Sequence, residues 1–438
     1  MKTGIMLFLL AFGPVWCTEA VSGETAAIDP ARARQYFEDI KKISDADGGH
    51  LWGVPLYGPT IFVDPNSRSV VANQMDQDRQ LTADQGVYVG KLEQAANISN
   101  TAVEWSGTLW TMVNWNALSD TDPYDRARLL IHESWHRVQQ EIGIPATTTA
   151  NVHLDEKDGR IYLLLEFRAL GRALLAKEAS AQREAIGDAL TLRQFRQSQY
   201  PNNNENAFER HEGLAEYTGL KLCGLSDSML VRIAARKLQL GESNDGFANS
   251  FAYLTGPALG LLLDHYNAHW RDKVRSGVNL PDLLADAINW QSPVGKEQLQ
   301  KAAELAGQKY EATKLTADEI SRAEQQKSTV AEFRNRLQVH GRLLIPNNNL
   351  NFSFNPQEKL ISFDTVSVIY RTMRLTGDFG VLEVTDGILR TNDWQYFIAV
   401  APGQVSGNPL VWEGYRLQLQ SGWQIVPGSP GVFVIEKK

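Results

Sequence analysis

The stretch Ile131-His132-Glu133-Ser134-Trp135-His136 has the pattern H-E-x-x-H. Positions four apart stack on one face of an α-helix. His132 and His136 can therefore present imidazole nitrogens to a single metal ion. Glu133 lies beside them, within reach of a metal-bound water but not placed as a third ligand. Zinc suits this arrangement, because imidazole binds it well and a catalytic site keeps one position open for water. Water on zinc ionises nearer neutrality, and a neighbouring carboxylate such as Glu133 can take its proton as the water attacks a carbonyl.

The flanking residues call for a helix that would carry this pattern. Asp122-Pro123 supplies an N-cap and a first-turn proline, and Asp125 sits where a capping acid belongs. Tyr124, Ala127, Ile131, Trp135, Val138 and Ile142 form an apolar stripe with steps of three and four. Gly143 follows as a stop. The His/Glu face lies at the edge of that stripe.

Two histidines leave a zinc site short of a ligand. A third histidine six residues beyond the second, with a glycine midway, is one known solution. Gln139 and Ile142 occupy those places, which excludes it. The remaining common answer is a carboxylate from a second helix. Residues 205–222 offer Glu212 and Glu216, four apart on one face. One can bind the metal while the other accepts an N–H from a ligand histidine and fixes its tautomer.

His132-Glu133-Ser134-Trp135-His136 followed by His211-Glu212-Gly213-Leu214-Ala215-Glu216-Tyr217 resembles the gluzincin metallopeptidases, and within them the aminopeptidase-N-like clan. In that clan N-E-G-x-A follows H-E-x-x-H, and its Glu is the third zinc ligand. The resemblance implies that Glu212 is the ligand and that Glu216 supports a ligand histidine. His211 stands where the clan has Asn, and the spacer between His136 and His211 is longer than usual. Phe251-Ala252-Tyr253-Leu254-Thr255-Gly256 is similar to the clan's Y-x-x-G. That similarity implies Tyr253 as an oxyanion donor, and a phenol aimed at developing negative charge suits the role; His211 could assist it. The G-x-M-E-N-like strand that holds a free N-terminus in aminopeptidases is not visible. His265 and His269 are also four apart, but with no Glu after the first they suggest packing or surface roles rather than a second metal site.

The chain of 438 residues is long enough for two or three units. A hydrophobic content of 43% and a charged content of 21% are those of an ordinary soluble globular protein. A net charge of −8 argues against a general nucleic-acid binder. Lys2, the apolar run Ile5–Phe12 and the small residues Thr18, Ala20, Ser22 and Gly23 have the form of a signal peptide over residues 1–22. That run is too short to span a membrane, and no later run reaches the needed length. With the signal removed, Cys223 is the sole cysteine and no internal disulfide is possible.

Helix is expected over 29–45, strands at Thr60–Val63, Ser69–Ala72, Val87–Val89 and Thr108–Trp115, and helix again over Ile161–Leu175, continuing with a break through Phe195. A sheet with an edge strand beside the metal helix would suit a peptide substrate bound by strand addition. Thr108–Trp115 could be that strand or a plain core strand. Glu166, Arg168 and Arg172, inside so apolar a run, either form a buried pair or face solvent; the solvated or structural reading is preferred. From about Arg342 short strand candidates alternate with turns: Leu343–Ile345, Leu360–Phe363, Val366–Tyr370, Gly380–Val384, Tyr396–Val400, Tyr415–Leu419 and Val432–Ile435. These suggest a small sandwich or barrel.

The expected architecture is α+β. A zincin-like catalytic domain over 23–327, with a helical insertion at about 144–204, precedes a C-terminal all-β module over 328–438. The expected activity is hydrolysis of peptide bonds by an exported, secreted or periplasmic, zinc metallopeptidase. Zn²⁺ would be held by His132, His136 and Glu212, with Glu133 and Tyr253 in the chemistry and Glu216 and His211 behind them. The expected partner is a peptide or protein substrate, with no nucleic acid and no integral membrane segment. Two alternatives stand beside this: a non-catalytic extracytoplasmic binding protein with a structural or vestigial zinc site, and a zinc hydrolase of non-peptide amides or esters.

Overall fold

The computed structural model describes residues 28–438 apart from 94, 95, 97, 148, 149, 348, 349, 356, 357, 365, 366 and 392. The expected signal peptide lies outside the described residues. The molecule is mixed α/β, with three open sheets and a large helical part.

Helix α1 (Pro30–Asp47) starts on the Asp29 side chain and ends on left-handed Gly48. Its Phe37 ring stacks on Phe62 at 4.5 Å, which fixes α1 against the first sheet. That sheet comprises β1 (Thr60–Val63), β2 (Ser69–Ala72), β3 (Thr82–Asp84), β4 (Val87–Lys91), β5 (Thr101–Trp105) and β6 (Thr108–Asn114), in the order β3-β4-β2-β1-β6-β5. Only β1 and β6 run parallel. Side chains alternate between the faces as the pleat requires. Phe62, Val71 and Val113 face the helices, while Ile61, Val63, Trp110 and Met112 build a separate core on the opposite face. Strand Thr108–Asn114 is therefore interior, flanked by β1 and β5. The edge next to it is β5, a short strand that the sequence reading missed.

Helix α2 (Pro123–Ile142) has the expected ends. The Asp122 side chain accepts from the Tyr124 and Asp125 amides, and Gly143 is left-handed. Its burial is wider than one stripe. Residues 128–136 are all buried, while Tyr124, at the start of the stripe, is exposed. The sheet covers one side, and α6 (Leu214–Leu222) covers another.

The segment expected as an insertion is a helical pair, α3 (Lys157–Leu175) and α4 (Ala179–Gln199), preceded by a 3₁₀ turn over Val152–Asp155. Glu166 does not face solvent. It is 1% exposed and pairs with Arg193 and Arg196 at 2.7 Å each, so the buried alternative is the one realised. Arg168 is partly exposed on Glu242, and Arg172 is exposed.

Residues 205–222 do not form one plain helix. A short α5 (Glu205–Phe208) passes into a π-helical turn over Glu209–Gly213, and α6 follows. Then come α7 (Asp227–Gly241), α8 (Ala252–Tyr266), α9 (Trp270–Arg275), α10 (Leu280–Ala287), α11 (Lys296–Gln308) and α12 (Ala312–Val339). Helix α8 ends at Tyr266, so His265 and His269 do not share a helix face. Helix α12 runs unbroken across residues 327 and 328, and Phe333 and Leu337, four apart near its end, join the core of the C-terminal strands. Two apolar residues in a strongly charged helix leave little trace in the sequence pattern.

The C-terminal strands form two sheets around one core. The first six are β7 (Arg342–Pro346), β8 (Asn351–Ser353), β9 (Ile361–Ser362), β10 (Val368–Tyr370), β11 (Met373–Gly377) and β12 (Gly380–Val384). The rest are β13 (Ile388–Arg390), β14 (Tyr396–Val400), β15 (Leu410–Trp412), β16 (Tyr415–Leu419), β17 (Trp423–Pro427) and β18 (Val432–Lys437). One sheet has the order β17-β18-β7-β14-β13-β10-β9, and the other β15-β16-β12-β11-β8. Leu343, Phe397 and Ile388 from the first meet Leu375, Leu382 and Leu417 from the second. Among the described residues no helix is long and apolar enough to cross a membrane.

Candidate metal centre

Helix α2 and the π-helical turn bring three donor atoms together. His132 Nε2 and His136 Nε2 are 3.2 Å apart, and each lies 3.5 Å from Glu212 Oε2. Ligands at about 2.0–2.1 Å from a tetrahedral zinc stand about 3.3–3.4 Å from one another. The three spacings match that requirement.

Both imidazoles are held in the tautomer that such a site needs. His132 Nδ1 donates to Glu216 Oε2 at 3.0 Å, and His136 Nδ1 donates to Gln139 Oε1 at 3.0 Å. With a proton kept on Nδ1, Nε2 is the nitrogen that faces the site, where a metal would displace a second proton. The Gln139 amide also donates from Nε2 to His211 Nδ1 at 2.8 Å, and His211 Nε2 lies 3.0 Å from Glu212 Oε1. Gln139 thus links one candidate ligand to the neighbourhood of another.

Four buried glutamates follow one another along this segment, and their partners differ. Glu205 pairs with Arg196 and His153, and Glu209 takes the two terminal guanidinium nitrogens of Arg193 at 2.6 and 2.7 Å. Glu216 accepts from Arg128 at 2.7 and 3.0 Å and from Lys237 at 2.6 Å. Glu212 meets only imidazoles and the Tyr253 phenol, which donates to its Oε2 at 2.7 Å. It is fully buried, and among the described residues no Arg or Lys pairs with it. A buried carboxylate without a permanent cation is the member of the row that a metal ion would complete.

The protonation tendencies agree. Burial alone would discharge the His132 ring, yet the Glu133, Glu212 and Glu216 carboxylates overcome it and push its pKa up to about 10. Burial would likewise raise Glu212 and Glu216. The imidazoles hold Glu212 well below the usual carboxylate range, and Arg128 and then Lys237 do so for Glu216. Negative charge exceeds positive charge around the two Nε2 atoms, so a proton or another cation is favoured there. Glu133 differs. Burial raises its carboxyl, with His132 and His136 only partly opposing. Its Oε2 is buried and has no hydrogen-bond partner among the described residues.

Tyr253 enters from α8. Its ring lies parallel to His132, with 3° between the planes and 5.6 Å between centroids. The approach of α8 to the turn depends on two glycines. A Cβ on Gly256 would stand 2.2 Å from Gly213 Cα. The glycines of E-G-x-A and Y-x-x-G are thus two sides of one backbone contact.

All seven predicted residues, His132, Glu133, His136, His211, Glu212, Glu216 and Tyr253, meet in one place. The sequence reading missed Arg128, Gln139 and Lys237. Arg128 and Gln139 had a signal: they lie four before His132 and three after His136, on the same helix face. Lys237, on α7, had none. Compared with protein-family models, curated proteins and solved structures, the chain matches none.

Proposed function

We propose that the chain is an exported zinc metallopeptidase whose catalytic part is zincin-like and of gluzincin type. The observation that carries this reading is the meeting of His132 Nε2, His136 Nε2 and Glu212 Oε2 at 3.2–3.5 Å, with Glu133 Oε2 beside them lacking a hydrogen-bond partner among the described residues. Zinc, when bound, supplies Lewis acidity and makes water a better nucleophile near neutral pH. Glu133 would take a proton from an attacking water beside the three donors and later deliver it to the leaving amine. Burial keeps Glu133 a stronger base than an exposed carboxylate, which suits the task. Glu216 and Gln139 keep the imidazoles in register. The Tyr253 hydroxyl, which donates to Glu212 Oε2, would turn to donate to oxygen charge that develops at the scissile carbonyl. Edge strand β5 pairs with β6 on one side, and its other side, which faces no strand among the described residues, offers main-chain groups to an extended substrate.

The test is zinc content of the purified protein together with cleavage of an unbiased peptide library, parent against Glu133→Gln. Stoichiometric zinc in both, with cleavage only by the parent, is the expected result. Zinc without cleavage by the parent would instead favour a structural site. One observation speaks for that second reading: Glu133 and His136 are 4% and 9% exposed. Cleavage of amides or esters but not of peptides would move the substrate class.

A further inference from the structure

The helical insertion has a position in this site that its sequence does not reveal. Arg193, on α4, is 3% exposed and directs two guanidinium nitrogens at the Glu209 carboxylate. Glu209 is the first residue of the π-helical turn, and its carbonyl accepts the Leu214 amide five residues on. Glu212 lies inside that turn. The same Glu209 Oε1 accepts the Thr255 hydroxyl from α8. Thr255 is two residues from Tyr253 and next to Gly256, where α8 crosses Gly213. One carboxylate therefore ties together the insertion, the turn that carries Glu212 and the helix that carries Tyr253.

A π turn is less favourable than continued α-helix and persists where surrounding contacts fix it. Returning these residues to α-helical register would rotate Glu212 relative to α2 and pull it from the two imidazoles. Hydrophobic groups could fill the space of the Arg193–Glu209 pair without the cost of burying charge, but they would not fix one register. We propose that Arg193 and Thr255 are positioning residues. Acting through Glu209, they hold the π-helical turn in the register that sets Glu212 Oε2 against His132 and His136, and they hold Tyr253 in step with it. The insertion is then a buttress of the metal centre.

This inference rests on the metal reading above, so the experiment separates the two. Zinc affinity is measured by chelator competition on the full-length protein for the parent, Thr255→Val, Thr255→Ser and Arg193→Lys, with thermal unfolding of each metal-free form. Arg160→Lys serves as a control, since it alters a buried ion pair, Arg160–Glu319, away from the turn. Thr255→Val and Arg193→Lys should weaken zinc about 10–100-fold, as loss of a group supporting a ligand does. Thr255→Ser keeps the hydroxyl and should bind like the parent. Arg160→Lys should lower the melting temperature but leave zinc affinity unchanged. Parental affinity in both Thr255→Val and Arg193→Lys overturns the proposal. A parent that binds no zinc overturns the metal reading instead. The crystal structure of metal-free Thr255→Val then decides the inference alone: the turn should change register and Glu212 should leave the imidazoles, and an unchanged turn refutes it.

Discussion

Glu216 Oε2 lies 3.0 Å from His132 Nδ1, on the side of the ring opposite the atom that faces Glu212. The two glutamates are four apart in sequence and embrace the same imidazole from its two nitrogens. Their removal should therefore have different consequences. Glu212→Ala leaves two histidines on one helix and no carboxylate ligand, so the metal charge is less offset. Glu216→Ala leaves three donors but frees the His132 ring, strips a partner from Lys237 and leaves Arg128 with Asp125. Glu212→Ala should lose zinc almost completely in chelator competition. Glu216→Ala should weaken it about 10–100-fold and still fill at saturating zinc. If Glu216→Ala is clearly the weaker binder, the ligand and the supporting acid must be exchanged.

The difference between these acids marks how far the sequence could be read. Spacing placed both on one face, and helix periodicity with Asp122 and Gly143 gave the length of α2 to the residue. What spacing could not supply was the π-helical turn. It depends on Arg193 and Thr255, distant in the chain, and no local pattern announces it. The interior place of β6 was equally hidden, because β5 is short and carries Glu104 among its five residues. Short strands such as Asn351–Ser353 and Leu410–Trp412 draw their stability from pairing rather than from their own composition. The buried pairing of Glu166 was misjudged for a related reason: its partners come from the next helix and are visible only once α3 and α4 are folded together.

Gly256→Ala tests the backbone contact that brings Tyr253 to Glu212. The added methyl would meet Gly213 Cα at 2.2 Å and its carbonyl oxygen at 2.5 Å. Neither atom belongs to a flexible side chain, so the helices themselves must separate. Overpacking of this kind costs about 1–3 kcal/mol. Urea denaturation of the metal-free protein should show that loss, and zinc affinity should fall with it. An unaltered denaturation midpoint would mean that α8 can shift without strain.

Asp155 gives a stability signature away from the metal centre. It is 1% exposed and accepts from the Phe247, Ala248 and Leu360 amides, which ties the helical part to the C-terminal strands. Burial is the main cause that pushes its pKa up to about 6, against the backbone donors and Arg160. A raised carboxyl pKa means that the folded state keeps its proton to higher pH than the unfolded state. The contribution to stability is therefore greatest below about pH 4 and is lost as pH rises through about 6. A shift of that size corresponds to about 3 kcal/mol. Buried acids with lowered pKa values act in the opposite direction, so the comparison is parent against Asp155→Asn. The stability of the parent relative to the variant should fall between pH 4 and 7. A difference that stays flat over that range would show that Asp155 titrates alike in both states.

Tyr253 can be tested by removing a single oxygen. Its phenol pKa is raised well above the usual value, by burial first and by the Glu212 carboxylate second, so it remains a donor throughout the working range. Tyr253→Phe keeps the ring that lies parallel to His132 and deletes the hydroxyl. A donor aimed at developing oxyanion charge is typically worth about 10²–10³ in kcat. That loss is expected at saturating zinc, with KM little changed and zinc affinity within about threefold of the parent. The hydroxyl also donates to Glu212 Oε2, and this permits a different outcome. If its main service were to place Glu212, zinc affinity would fall and turnover would recover once zinc was saturating. Measuring zinc affinity and saturated turnover on the same variant separates the two. Parental turnover at saturating zinc would remove Tyr253 from the chemistry and leave it as support for the ligand.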